Sequence, residues 1–240
     1  GTGVSNTDGS ITSTVSANTD AGFSIVSYTG TGSGATVGHG LASTPEMIIV
    51  KQRNAVRNWV VYHEYIDSTP ADSYLELNTT DAAATSTTFW NNAPATDSVF
   101  SVGANSGTNQ SAGTYIAYCF HSVDGFSKVG SFVGNGQTGT AGPFVYLGFR
   151  PRFILVKGAV NDSASDWHIW DSERDGTNPI NAVLYPNYSI VEDTTATYQI
   201  DMLSNGFKVT ASNAVPFNNN NATYIYYAIA EQPFKYSNAR

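Results

Sequence analysis

The stretch that decides the fold occurs twice in the chain, first as Pro45-Glu-Met-Ile-Ile-Val-Lys51 and again as Pro151-Arg-Phe-Ile-Leu-Val-Lys157. Each copy holds a short, continuous apolar run between a proline and a lysine. An apolar run of this length suits a strand that is covered on both faces. Each copy therefore predicts a central strand of a β-sheet.

Matching segments flank both copies in the same order along the chain. Three further pairs show this most clearly: Gly22-Phe23-Ser24 with Gly125-Phe126-Ser127, Trp59 with Trp167, and Thr114-Tyr-Ile-Ala-Tyr-Cys-Phe120 with Thr223-Tyr-Ile-Tyr-Tyr-Ala-Ile229. The offsets vary only between 103 and 109 residues, so we expect a tandem repeat whose loops differ in length. The predicted division is an N-terminal arm (1–22), a repeat A (23–125), and a repeat B with a C-terminal tail (126–240).

The side-chain pattern between these segments has a period of two. From Trp59 to Tyr65, odd-numbered and even-numbered residues would point to opposite faces of a strand. Gly- and Asn-rich connections such as 105–113 and 134–142 supply turns. These features predict an all-β fold of two tandem antiparallel β-sandwich modules, jelly-roll or lectin-like, with little helix. Only 81–88, which holds three alanines, is expected to form a short helical turn.

Composition and charge argue against several classes of protein. The 240 residues carry 11 cationic and 19 acidic side chains, a formal net charge of −8. The cations are scattered along the chain, so we expect no nucleic-acid partner. The longest apolar runs are far shorter than the roughly 20 residues that span a bilayer, so we expect no membrane insertion. Cys119 is the one cysteine, and because repeat B has Ala228 at its position we expect a small buried filler.

Residues that could carry catalysis are sparse. The four histidines fall in no metal-ligand spacing: His39, His63, His121 and His168. The chain has neither a nucleophile elbow nor a phosphate-binding loop motif. In repeat B, Asp171 and Glu173 belong to an acidic cluster that could supply the two carboxylates of a glycan-degrading enzyme. The sequence favours a non-catalytic protein, and this enzyme is the alternative.

One loop offers oxygen ligands for a cation. Asn161-Asp-Ser-Ala-Ser-Asp166 carries two carboxylates, Asp162 and Asp166, but it lacks the glycine and the distal glutamate of an EF-hand loop. A surface turn without any cofactor is therefore the favoured interpretation. Calcium bound by these two residues is the alternative.

Aromatic side chains are the remaining signal, because Phe, Trp and Tyr make up 12% of the chain. Sugar rings stack on aromatic planes while amides and carboxylates bind their hydroxyl groups. Trp59 and Trp167 recur at matching positions, so we expect them to be packing anchors. Aromatic residues without an aromatic counterpart, or near polar loops, are instead expected to be exposed: Trp90, Trp170, Tyr185 and Tyr188.

Loops at the ends of the predicted sandwiches supply the candidate binding residues. In repeat A, Trp90 is followed directly by two asparagines, and in repeat B, Trp170 is followed directly by Asp171. Repeat B also contains Tyr188 and a run of asparagines that begins at Asn218. The predicted ligand-binding residues are Trp90, Asn91, Asn92, Trp170, Asp171, Tyr188, Asn218, Asn219 and Asn220.

Several segments carry a resemblance to known proteins: Asp8-Gly-Ser-Ile-Thr12, Val37-Gly-His-Gly-Leu41, Thr88-Phe-Trp-Asn-Asn92, Gly142-Pro-Phe-Val-Tyr-Leu-Gly-Phe149 and Leu203-Ser-Asn-Gly-Phe-Lys208. They resemble a domain family of unassigned function from tail fibres and other virion proteins of tailed bacteriophages, notably marine ones. The resemblance extends over nearly the whole chain. It implies a virion module and supplies no catalytic or ligand-binding residue.

Together these features predict a receptor-binding part of a phage tail fibre that recognises a host surface glycan or a host surface protein. The alternative is a purely structural virion protein, such as a capsid decoration or a fibre connector, and a polysaccharide depolymerase is the less favoured third. The expected location is the extracellular phage particle. Its other expected partners are further virion proteins and two more copies of the chain in a homotrimer, because phage fibres are commonly trimeric.

Overall fold

The computed structural model describes residues 2–162, 165–211 and 217–232. Within them nearly all regular structure is β, and helix is confined to a four-residue turn, α1 (Ser106–Asn109), and a 3₁₀ turn (Gly139–Ala141). The prediction of an all-β antiparallel fold with little helix is confirmed. The chain divides into two compact units, with Gly1–Leu77 and Ala83–Ser122 in unit 1, and Asn78–Ala82 and Val123–Arg240 in unit 2.

Unit 1 contains ten strands: β1 (Val4–Asn6), β2 (Ser13–Asn18), β3 (Phe23–Thr29), β4 (Ala35–Gly38), β5 (Met47–Gln52), β6 (Val60–His63), β7 (Ser73–Glu76), β8 (Ala84–Thr85), β9 (Val99–Val102) and β10 (Thr114–Phe120). Eight of them form one sheet in the order β1-β2-β3-β10-β5-β6-β7-β8, while β4 pairs with β9. The segment predicted as an N-terminal arm thus forms β1 and β2 of the large sheet.

The two sheets of unit 1 share one hydrophobic core. Every second side chain of the central strand β10 is buried, and Tyr115, Ala117 and Cys119 all belong to this core. Val37 of β4 and Phe100 of β9 contribute to the same core from the smaller sheet. Two sheets that bury their facing side chains in a common core form a β-sandwich.

The described residues of unit 2 contain seven strands: β11 (Ser127–Val133), β12 (Phe144–Tyr146), β13 (Pro151–Val160), β14 (His168–Asp171), β15 (Ile200–Leu203), β16 (Gly206–Val209) and β17 (Thr223–Ala230). They form a four-stranded sheet, β11-β17-β13-β14, and a three-stranded sheet, β12-β16-β15. Ile154 and Tyr226 from the first sheet and Met202 and Phe207 from the second are buried in one core. Unit 2 is therefore also built as a sandwich.

The strands that the sequence aligns occupy matching places in the two units. The order β3-β10-β5-β6 in unit 1 corresponds to β11-β17-β13-β14 in unit 2, and all of these pairs are antiparallel. The pair β4-β9 corresponds in the same way to β12-β16. The tandem duplication itself stays a prediction, and the common strand order supports it.

One local prediction is wrong. Residues 81–88 do not form a helical turn, because Ala84 and Thr85 form strand β8, which pairs with Tyr74 and Ser73 of β7. Strand pairing within the sheet therefore outweighs the helical preference of the three alanines. No helix among the described residues is both long enough and apolar enough to cross a bilayer.

Candidate functional site

The two tryptophans predicted to face a ligand are core residues. Trp90 donates from Nε1 to the carbonyl of Ser73 at 3.0 Å, and Trp170 donates to the carbonyl of Tyr198 at 2.9 Å. Both rings are buried. The expectation that they are exposed is therefore wrong, because each indole fills a core and satisfies its N–H there. Tyr185, also expected to be exposed, is buried as well.

Asn218 is buried and holds two backbone segments together. Its Nδ2 donates to the carbonyl of Gln137 at 2.7 Å, and its Oδ1 accepts from the N–H of Asn135 at 3.0 Å. Its own carbonyl accepts from the N–H of Gly136 at 3.0 Å. The side chain therefore links the loop after β11 to the loop before β17, and it has no free amide group for a ligand.

Unit 1 contains the same arrangement around Asn109. Its Nδ2 donates to the carbonyl of Ser33 at 2.6 Å, its Oδ1 accepts from the N–H of Thr31 at 2.7 Å, and its carbonyl accepts from Gly32 at 2.9 Å. We call these two structures the amide clamps. Asn109 and Asn218 precede the aligned strands β10 and β17 by the same number of residues, so the repeat contained the signal that identifies their role.

The other predicted asparagines are exposed turn residues. Asn91 and Asn92 both adopt positive φ angles, 56° and 49°, which asparagine tolerates better than most residues. Asn219 and Asn220 are also exposed, and the side chain of Asn219 donates to Oδ1 of Asp162 at 3.1 Å. The structure therefore leaves Asn91, Asn92 and Asn220 accessible and gives Asn219 a structural contact.

Asp171 and Glu173 are held by arginines. The side chain of Arg174 bridges the carboxylates of Asp171 and Glu192, while Glu173 pairs with Arg152 at 3.4 Å. Burial raises the pKa of Asp171, but the hydrogen bonds and the charge of Arg174 together lower it by more than burial raises it. The net pKa of Asp171 therefore lies below the ordinary value. Asp171 therefore stays ionised as an ion-pair partner, which is not the protonated state that a general acid needs.

The proposed calcium ligands contact other side chains. Asp166 accepts from Nδ2 of Asn187 at 2.7 Å. Beside Asp162 lies the buried Lys157, whose Nζ donates to the carbonyls of Ser165 and of Thr80, the latter at 2.9 Å. Burial lowers the pKa of Lys157 to about 8, although Asp162, Asp166 and Asp81 raise it in part. Among the residues that the structure describes, no three His, Cys, Asp or Glu side chains cluster as metal ligands do.

The side chains of Cys119 and His168 are buried in packed surroundings. Burial raises the pKa of Cys119 to about 12, so its thiol stays protonated at neutral pH. The imidazole of His168 lies among the rings of Trp170, Tyr198 and Phe217, with centroid distances of 5.1 to 5.6 Å. Neither of its ring nitrogens has a well-formed hydrogen bond within the described residues. Cys119 is thus a buried core residue of low reactivity, as its alignment with Ala228 predicts.

Tyr188 is the predicted aromatic residue that the structure does expose. It lies in 184–191, which we call the apolar loop, and 58% of its surface is accessible. Three more large apolar side chains of this loop are exposed: Leu184 at 39%, Ile190 at 51% and Val191 at 87%. These four are more than a third of the eleven exposed large apolar residues in the described part of the chain. Sequence reasoning found Tyr188 and missed its apolar neighbours.

The base of the apolar loop is tied to the sandwich. Val183 and Asp193 exchange two backbone hydrogen bonds of 2.8 and 3.0 Å, and Leu184 exchanges two with Ile169 of β14. The hydroxyl of Tyr185 donates to Asp193 at 3.0 Å. The Asp171–Arg174–Glu192 bridge joins the end of β14 to the residue that directly follows the loop. The loop is therefore anchored at its base while its apolar tip faces solvent.

The fold and this site define a class: an all-β protein with two sandwich units, one of which presents an anchored apolar loop. Over residues 1–233 the chain matches the family described as domain of unknown function DUF7483, and it belongs to that family. Neither a curated protein nor a solved structure matches the chain.

Proposed function

We propose that this chain is a non-catalytic attachment module of a phage virion protein, and that it uses the apolar loop to bind a receptor on the host surface. The phage setting comes from the sequence resemblance. The observation that carries the proposal is the exposure of Tyr188, Ile190 and Val191 on a loop whose base is anchored.

Exposed apolar side chains that lie close together along one loop have an unfavourable free energy of hydration, which burial against a partner removes. Burial of apolar surface against a partner stabilises a complex by about 25 cal/mol per Å². An anchored loop also loses less conformational entropy on binding than a free loop does. Grouped exposed apolar side chains of this kind mark interaction sites in soluble proteins.

The test is binding of the labelled, purified chain to intact cells of a panel of marine bacteria and to their isolated surface polysaccharides, with and without chelator. We expect saturable binding to a subset of cells, at least about tenfold weaker with Tyr188→Ala or Val191→Ser, the loss of about one buried apolar anchor. Val56→Ser is the matched control, because Val56 is 97% exposed and lies outside the loop.

Three outcomes would contradict the proposal. Failure of the folded chain to bind any cell of the panel would favour the structural virion protein. Equal binding by Val191→Ser and Val56→Ser would remove the loop from the site. Release of sugar fragments that Asp171→Asn abolishes would establish the depolymerase instead. Loss of binding on addition of chelator would not contradict the proposal but would add a bound cation to it, for which Asp162 and Asp166 are the candidate ligands.

A further inference from the structure

Strand β12 exposes two aromatic rings that the proposed function does not use. Phe144 and Tyr146 are separated by one residue, so they point to the same side of the strand, and they are 46% and 61% accessible. Val145 between them points the other way into the core of unit 2. β12 is an edge strand of its sheet. We call the two rings the aromatic strip.

Two lysines flank the aromatic strip. Lys208 is the register partner of Phe144 on β16, which places both side chains on one face. Nζ of Lys128 donates to the carbonyl of Tyr146 at 3.0 Å and lies 5.4 Å from the centre of its ring. Among the described residues, ion pairs within 4.0 Å involve Arg150, Arg152 and Arg174 and neither of these lysines. Two of the 11 cations in an acidic chain are therefore placed beside the rings.

The surface beside the strip is shaped by a glycine. Gly206 is the register partner of Tyr146, and a Cβ at this position would lie 2.1 Å from the carbonyl oxygen of Val145 and 3.2 Å from Cε2 of Phe144. No side chain therefore stands next to Tyr146 on β16. Asp201, the register partner of Lys208 on its other side, is the one acidic residue paired with this face of β16.

Unit 1 has no counterpart of the strip. The corresponding strand is β4, because a glycine with positive φ follows each strand, Gly40 at 70° and Gly148 at 87°. Counted from these glycines, Thr36 and Gly38 occupy the places of Phe144 and Tyr146. The two exposed rings are therefore not required to build this sandwich, which points to a role in binding.

We infer that the aromatic strip binds an acidic glycan, with successive sugar rings stacked on Phe144 and Tyr146 and a sugar carboxylate paired with Lys128 or Lys208. The two rings stand about 7 Å apart along the strand, so both can contact one extended oligosaccharide. The lysines complement an anionic sugar, whereas a neutral sugar or an apolar protein surface offers no opposite charge to them. This inference rests on the proposed attachment function and adds a second site and a ligand class to it.

The experiment measures binding of the full chain to four acidic oligosaccharides, the oligomers of galacturonate, mannuronate, guluronate and glucuronate. The methyl esters of the same oligomers are the neutral controls. We expect at least one acidic oligomer to bind, with affinity that falls as salt is added and that is lost on esterification. Tyr146→Ala and Phe144→Ala should each weaken binding about tenfold, the effect of one lost stacking contact. Lys128→Met and Lys208→Met should flatten the salt dependence.

The controls separate this inference from the proposed function. Val133→Ser changes an exposed apolar residue of the neighbouring edge strand β11 and should leave the affinity for the oligomer unchanged, as should Tyr188→Ala. Because Phe144 and Tyr146 are exposed, their alanine variants should keep the wild-type circular dichroism and melting temperature. Absence of binding to all four acidic oligomers, or equal binding of the esters, would overturn the inference. Cell binding that depends on Tyr188 while no acidic oligomer binds would keep the proposed function and remove only the strip.

Discussion

His168 is a titratable side chain enclosed by aromatic rings. Desolvation lowers its pKa to about 4, and Asp166 and Asp193 raise it only in part. The native protein therefore holds the imidazole neutral, whereas the unfolded chain binds a proton near pH 6.5. The neutral imidazole therefore contributes fully to the unfolding free energy above pH 6.5, and this contribution is lost as the pH falls towards 4.

We expect the unfolding free energy to fall by about 3 kcal/mol between pH 6.5 and 4, the energy that corresponds to the difference between the two pKa values. Chemical denaturation at a series of pH values measures it. The variant His168→Phe places a further ring in the aromatic cluster and should flatten this part of the profile. A profile of His168→Phe as steep as that of the wild type would assign the pH dependence to other groups.

Individual residues also show what the sequence could and could not reveal. The sequence criterion, lack of an aromatic counterpart or a place near polar loops, indicated exposure correctly for Tyr188 but wrongly for Trp90 and Trp170. Trp170 in fact aligns with the aromatic Tyr62 by the offset that matches Trp59 with Trp167. A residue present in one repeat only shows that the units have diverged at that position, and cores diverge as well as surfaces. A structural role for Asn218 could have been predicted from the matching position of Asn109, because both asparagines precede the aligned strands by the same number of residues.

At the scale of an element, the amide clamps hold the loops at the ends of the central strands. In each clamp a buried amide satisfies backbone groups that no strand partner reaches, and a tyrosine hydroxyl accepts the next N–H of the chain. The hydroxyl of Tyr115 accepts from Gln110 at 2.7 Å, and that of Tyr224 accepts from Asn219 at 2.8 Å. Such a fully bonded polar structure fixes one loop conformation.

Asn218→Ala should destabilise the protein by about 2 kcal/mol, because it leaves the N–H of Asn135 and the carbonyl of Gln137 without their partner. Asn220→Ala is the matched control two residues away, and as an exposed substitution it should change the unfolding free energy by less than about 0.5 kcal/mol. Thermal or urea denaturation of both variants gives the comparison. Equal stabilities of the two variants would show that water replaces the clamp.

One arginine, Arg174, adds an ion-pair bridge to the backbone bonds at the base of the apolar loop. Arg174→Met removes the bridge between Asp171 and Glu192, and since partly exposed ion pairs contribute little we expect a loss of less than about 1 kcal/mol in global stability. Hydrogen exchange should nevertheless quicken at the amides of Val183 and Asp193. Arg152→Met, which breaks the more exposed pair with Glu173, should leave these amides unchanged. Unchanged exchange in Arg174→Met would mean that the backbone bonds alone anchor the loop.

Elements were predicted best where periodicity is strong. The two apolar runs that became β5 and β13 were predicted as central strands, and their positions in the sheets agree with this. The prediction of a helical turn at residues 81–88 was wrong because a two-residue strand such as β8 exists only through its pairing with β7. The apolar loop could not be predicted, because apolar residues between strands have no pattern that separates exposed from buried positions.

At the scale of the whole molecule, we propose that the chain forms the homotrimer that the resemblance to phage fibre proteins predicts. Analytical ultracentrifugation should find three times the mass of one chain. The melting temperature of the trimer should fall as the protein concentration is lowered. Ile190→Ser and Val133→Ser change exposed apolar positions and test whether either surface contributes to assembly. A monomer at every concentration would remove trimerisation from the proposed function and leave attachment through a single chain.

The amide clamps also bear on how this protein can change over generations. Each clamp holds its loops through one buried asparagine, whereas Asn220 and the tip of the apolar loop are exposed, and substitutions at exposed positions change stability little. Under the proposed attachment function, natural selection can therefore change the exposed positions and redirect binding to new hosts without loss of the scaffold. Variants selected for growth on a new host should accumulate changes in 184–191 and spare Asn109 and Asn218, so the capacity to adapt lies in the separation of these two sets of residues.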